Sequence, residues 1–145
     1  MDQNDYIKER LEKLIKWYDG KSQYNQKWLK SLRVIEIACA AIIPFLAGIS
    51  DSIPYGQIII GGLGVIIAIS AGLSALNKYQ ENWLTYRTTC ETLRHEKYLF
   101  LTGCKPYEGD DALTSLVERV EGLISKENSQ WSRVANEKSH NKRVN

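Results

Sequence analysis

The sequence predicts an all-α membrane protein: a helical hairpin of two transmembrane helices, continuous with long cytoplasmic helices and followed by a C-terminal helix folded back into a cytoplasmic bundle. Three observations carry this reading. The run from Ser52 to Asn77, roughly 26 residues, contains no charge and includes Ile58, Ile59, Ile60, Val65, Ile66 and Ile67. At about 1.5 Å of rise per residue it can cross a hydrocarbon core about 30 Å thick. A second uncharged run, Ile37 to Ser50, precedes it and reaches span length if it extends back through Glu36 and Arg33 to Leu32. Outside these runs, apolar residues recur at three- and four-residue steps, the period of a helix with one buried face. The mean hydropathy of −0.33 averages two apolar runs with very polar flanks. A soluble bundle of this length has little need of a buried helix free of charge for about seven turns.

The expected organisation is an N-terminal cytoplasmic helix over 1–31, the hairpin over 32–77, a stalk helix with the C-terminal helix over 78–138, and a disordered tail over 139–145. In the first helix Ile7, Leu11, Leu14, Ile15, Tyr18, Trp28 and Leu32 keep helical intervals, and no proline occurs before Pro44, so the helix should run through Gly20 into the first span. The connection Asp51-Ser52-Ile53-Pro54 is short. Asp51 or Ser52 is the expected cap and Pro54 suits the first turn. Beyond the second span nothing up to Thr102 breaks a helix, and Trp83, Tyr86, Cys90, Leu93, Lys97 and Phe100 trace one stripe. Gly103 and Pro106 stop it. Asp110 or Asp111 then caps a last helix whose apolar face is Leu113, Leu116, Val117, Val120, Leu123, Ile124, Trp131 and Val134.

Basic residues flank the outer ends of the hairpin (Lys21, Lys27, Lys30 and Arg33 before it; Lys78, Arg87, Arg94 and Lys97 after it), whereas the connection holds only Asp51. Both termini are therefore expected on the cytoplasmic side of the inner (cytoplasmic) membrane. About thirty residues of mixed charge precede the first apolar run, which does not read as a cleavable leader. A net charge of +2 gives no argument for nucleic acid as a partner. Cys39, Cys90 and Cys104 have no Cys-x-x-Cys spacing, and His95 and His140 form no ligand pattern with them, so neither disulfides nor a metal is implied. Gly61-Gly62-Leu63-Gly64 lies inside a span and lacks the lysine of a phosphate loop. Catalysis and cofactors are not expected.

At about 100° per residue, Ser70, Ser74, Asn77 and Glu81 share one face of the second span, continued outward by Ile59, Leu63 and Ile66. Gly61, Gly64, Ala68, Gly72 and Ala75 form a small-residue stripe on the other side, suited to close packing on the first span. The first face is the candidate pore lining, with the aliphatic section as a constriction that closes by dewetting. Two spans per chain cannot enclose a path, so this reading needs a homo-oligomer of roughly four to six subunits. The alternative is that the serines bond back to their own helix and the glycines only pack. Glu36, an ionisable residue at depth, is a further candidate and would favour cations as permeant ions; a local pair with Arg33 is the competing reading. Arg87, Glu91, Arg94 and Glu96 form a candidate cytoplasmic network, or simply a solvated face.

Two apolar spans, then Tyr86-Arg87 with Glu91, Leu93, Arg94 and Glu96, then Gly103 and Tyr107, then Glu118-Arg119-Val120 with Glu127 and Trp131, resemble the bacterial two-transmembrane family of the SLATT type, the SMODS and SLOG-associating 2TM effector domain. The resemblance covers about 28–131. It implies a membrane effector acting by pore formation or membrane disruption, with the trigger a separate protein or ligand. From the residues and this resemblance together, the expected function is an oligomeric ion channel or pore-forming effector. A non-conducting membrane anchor or adaptor, whose cytoplasmic bundle recruits a partner, is the other class.

Overall fold

The computed structural model describes residues 5–144, with side chains described through residue 137. It is helical, with no strand among the described residues. A π-helical turn, Tyr6–Leu11, leads into α1, Glu12–Ile49; α2 is Gly56–Asn77, α3 is Tyr79–Leu101 and α4 is Ala112–Val144. As the apolar periodicity implies, α1 passes through Gly20, and it also contains Pro44. The backbone of α4 stays helical to Val144, into the stretch 139–145 that the sequence reads as a disordered tail.

Two elements begin differently from expectation. The first is the start of α2. Its cap is Tyr55, in the left-handed region at φ 64°, and no side chain caps it; neither Asp51 nor Ser52 has that role. Ser50–Ser52 forms a 3-10 turn instead, and backbone bonds from Ile53 to Ser50 (3.3 Å) and from Gly56 to Ile53 (3.1 Å) close the connection. Gly56 is required there, because a Cβ would lie 2.8 Å from the Ser50 carbonyl oxygen.

The second difference is a break where one continuous helix was expected. Lys78 adopts a left-handed conformation (φ 49°, ψ 40°), so α2 and α3 are separate helices. Two asparagines satisfy carbonyls around the break: Asn77 Nδ2 donates to Leu73 O and Asn82 Nδ2 to Asn77 O, each at 3.0 Å. A Lys78–Glu81 ion pair at 3.2 Å spans the same turn. At the far end of α3 the glycine stop takes the form expected of it. Gly103 has φ 62°, its N–H bonds Phe100 O at 3.2 Å, and the Cys104 N–H reaches Leu99 O at 3.1 Å, which is the Schellman pattern.

The chain divides into two compact units, Tyr18–Arg87 and the segments Met1–Trp17 with Thr88–Asn145. These limits follow contacts rather than solvent, and so differ from the 32–77 hairpin read from hydropathy. In the first unit α1 and α3 are tied by Trp28 stacked on Tyr79 (ring centroids 6.1 Å apart, planes 9° apart) and by Tyr18 against Tyr86 at 6.1 Å. In the second, three helical segments share a core in which Leu11, Cys90, Leu93, Leu116 and Val120 are fully buried, with Ile7, Phe100 and Tyr107 around them. The α4 stripe is covered as far as Glu127; Trp131 and Val134, expected on the same buried face, are exposed. None of the three cysteines is in a disulfide; Cys39 and Cys90 are buried and Cys104 is exposed.

Among the described residues, two helices are long and apolar enough to cross a membrane, the Tyr6–Ser52 run containing α1 and Gly56–Asn77. In their most apolar stretches only 11% and 6% of residues are buried. A core helix of a soluble bundle would be mostly covered. Here Ile37, Phe45, Ile58, Val65, Ile69 and Leu76 stand open instead.

Candidate functional site

Within the Tyr18–Arg87 unit, the covered positions of the apolar run are spaced in threes and fours on both helices. On α1 they are Leu32, Glu36, Cys39, Ile43 and Leu46; on α2 they are Ile60, Leu63, Ile67, Ser70 and Ser74. This spacing defines the seam of an antiparallel hairpin. The Ser50–Gly56 approach fixes where the helices meet, so equal steps back along each put Glu36 at the level of Ser70.

The seam corrects one expectation. Most of the small-residue stripe does not pack on α1: Gly61, Gly64 and Gly72 have nothing within 4 Å of where a Cβ would sit and Ala68 is exposed, whereas Ala75 borders a cleft shared with Arg33 and Glu36 of α1. The candidate pore face supplies the seam instead, since Ser70 is buried and Leu63 and Ser74 are half-buried against it. Only one flank of that face, Ile59, Ile66 and Asn77, is exposed; Glu81, expected on the same face, lies beyond the Lys78 break on α3, exposed and paired with Lys78. The physical reason is volume. Ile60, Leu63 and Ile67 fill the space between two helices, whereas glycines would leave it empty unless the backbones came much closer.

Glu36 is the one acidic residue in this seam. Its Oε2 accepts from Arg33 Nη1 at 3.0 Å, one helical turn away, while its Oε1 is buried with no hydrogen-bond partner. The carboxylate lines a cleft of ≈ 530 Å³ together with Arg33, Ala71, Ser74, Lys78 and Glu81. The local pair with Arg33 is present, and the second carboxylate oxygen is left over. An unsatisfied buried oxygen of this kind is costly and needs a reason.

Each of the four residues of the candidate cytoplasmic network has an ion-pair partner. Arg94 pairs with Glu91 on its own helix at 3.2 Å, and Arg87 lies 3.9 Å from Asp19 on α1. Glu96 has different partners. Its side chain is only 6% exposed, and Arg119 of α4 grips it with two bonds, Nη2 to Oε1 at 2.7 Å and Nε to Oε2 at 3.1 Å. The Tyr107 hydroxyl donates to Glu96 Oε2 as well, and the Tyr107 ring meets Phe100 edge-on at 5.7 Å. Burial pushes the Glu96 carboxyl up, but the Arg119 and Tyr107 hydrogen bonds and the Arg119 charge outweigh it and hold the group below its usual range. Burial, with the hydrogen bond to Glu96 and its charge, pushes the Tyr107 hydroxyl up. This clamp joins α3, the turn after it and α4, a positioning role. A signal for it exists in the sequence: Glu96 falls on the Leu93–Phe100 face, and a carboxylate on a buried face needs a cation from another element.

Among the described residues no group of His, Cys, Asp and Glu is arranged to hold a metal. The family described as Protein of unknown function (DUF4231) matches residues 13–114, from the start of α1 to the first turn of α4. No curated protein and no solved structure gives a match.

Proposed function

The chain belongs to the DUF4231 family, a membership that leaves its role to be argued from its own residues, and we propose that it is an integral membrane protein whose homo-oligomer forms an ion channel or pore. The observation that carries this is the leftover carboxylate oxygen of Glu36 inside a hairpin whose outer surface is apolar and uncovered. An ionisable group at membrane depth is expensive, and it marks an ion path or a binding site more often than it marks packing. In this reading α1 and α2 cross the inner membrane with both termini cytoplasmic, as the basic flanks and short connection favour. Because most of the small-residue stripe is open, neighbouring subunits can pack closely along Gly61, Gly64, Ala68 and Gly72. Four to six such contacts close a ring of about that many subunits. The exposed Ile59, Ile66 and Asn77 flank then lines the axis, with Leu63, Ser70, Ser74 and Glu36 behind it and cations as the permeant species. The SLATT-type reading adds a conflict effector opened by a separate protein or ligand.

One observation favours the second class, a non-conducting anchor or adaptor: Ser70 is buried in the seam of a single chain and so is already used in packing. Purified protein reconstituted in liposomes separates the two. A homo-oligomer of more than two subunits that passes cations is expected. Glu36→Gln should lower cation-over-anion permeability several-fold, seen as a shift in reversal potential, and Ser70→Leu with Ser74→Leu should abolish flux. A monomer or dimer without flux would leave the adaptor.

A further inference from the structure

In the unit of Met1–Trp17 and Thr88–Asn145, a cleft of ≈ 440 Å³ opens between the N-terminal helical segment and α3. Five cations line it, Lys8, Lys13, Lys16, Arg94 and Lys97, against the single carboxylate of Glu12. That is a local excess of four positive charges in a chain whose net charge is only +2. Lys97 is taken up by Glu12 at 2.7 Å, and Arg94 shares its charge with Glu91 at 3.2 Å. Lys8, Lys13 and Lys16 have no ion-pair or hydrogen-bond partner among the described residues.

We propose that this cleft binds a phosphate-bearing polyanion. Lysines merely solvated on a helix would point away from one another and from other cations. Here three of them share a concavity with an arginine and a fourth lysine from a second helix, where a low-dielectric wall concentrates their field. Such like charges repel when the site is empty, and an anion of two or more charges relieves that repulsion. Arginine and lysine together suit phosphate oxygens, the one as a fork of donors and the other as a point charge. Tyr98, exposed and also lining the cleft, adds a neutral hydroxyl donor. The volume lies within the roughly 300–1,000 Å³ common for small-molecule sites. A soluble polyphosphate and the headgroup of an anionic lipid present the same chemistry. The proposal needs no conduction and is tested without it.

The experiment is calorimetric titration of inorganic tripolyphosphate into the full chain, held in nanodiscs of phosphatidylcholine alone or with phosphatidylglycerol. Saturable binding is expected, weaker at higher salt because the charges are screened. Lys13→Glu with Lys16→Glu should weaken it by about tenfold or more, whereas the equal charge change Lys105→Glu with Lys126→Glu, outside the cleft, should alter it by less than about threefold. All four lysines are exposed, so circular dichroism melts of both variants should match the parent. Phosphatidylglycerol that displaces tripolyphosphate identifies the headgroup as the source; undiminished binding identifies a soluble anion. Absence of binding in both nanodiscs, or equal weakening by the two charge changes, overturns the proposal.

Discussion

Replacing Arg119 with alanine is expected to destabilise the unit of Met1–Trp17 and Thr88–Asn145 more than any other single change to a charged residue there. Glu96 would keep its burial and its Tyr107 bond but lose the cation that offsets its desolvation. Removing one partner of a buried pair costs about 3–5 kcal/mol; the Arg119 side chain is half exposed, which lets water take part and reduces the expected loss to about 2–3 kcal/mol. The pH dependence has a definite sign. The folded-state carboxyl of Glu96 sits below its usual range, so its contribution is full above the unfolded value and is lost as pH falls through the lowered folded value. In Arg119→Ala, burial acts without the arginine and raises that carboxyl, so the stability gap to the parent should be widest at neutral pH and narrow on acidification. Adding Glu96→Gln to Arg119→Ala should recover part of the loss, since the stranded charge is gone. Thermal melts in detergent at neutral and acid pH measure all three; a gap independent of pH would show that the clamp carries no such energy.

The second large effect concerns the uncovered apolar surface. Val65 lies near the middle of α2, opposite the seam, and is 57% exposed. Were water its solvent, Val65→Arg would cost almost nothing and improve dispersion. With lipid as solvent, arginine at the centre of a spanning helix costs about 2.5–3.5 kcal/mol. The membrane-integrated fraction of Val65→Arg should therefore fall severalfold. Leu76→Arg, one residue from the C-terminal end of α2 and 81% exposed, should be tolerated because its side chain can reach the interface. Equal insertion of both variants would remove the argument from depth.

Residue types and spacing made the helices legible, but not the way they pair. Charge-free length revealed α2, and Gly103 announced the end of α3, because each is a local property of the chain. The Lys78 break was not readable in the same way. No glycine or proline marks it; the signal, in hindsight, is the pair Asn77 and Asn82, whose amides can take over backbone acceptors. The helical wheel separated the small-residue stripe from the Ser70–Ser74 face correctly and then gave the wrong one to α1. That error has a physical source. In a bundle in water the apolar face identifies itself, but among residues that lipid can solvate on every side, fit rather than polarity chooses the contact, and fit depends on both helices at once. The clamp was hidden for a related reason: Glu96 meets Arg119 across 23 positions, a pairing fixed only when α3 and α4 come together.

Extraction of isolated membranes with alkaline carbonate tests most directly whether lipid solvates residues 32–77. The chain should stay in the pellet and come off only with detergent. Recovery in the carbonate supernatant, dispersed in plain buffer, would contradict the account and require another partner for the open faces of α1 and α2.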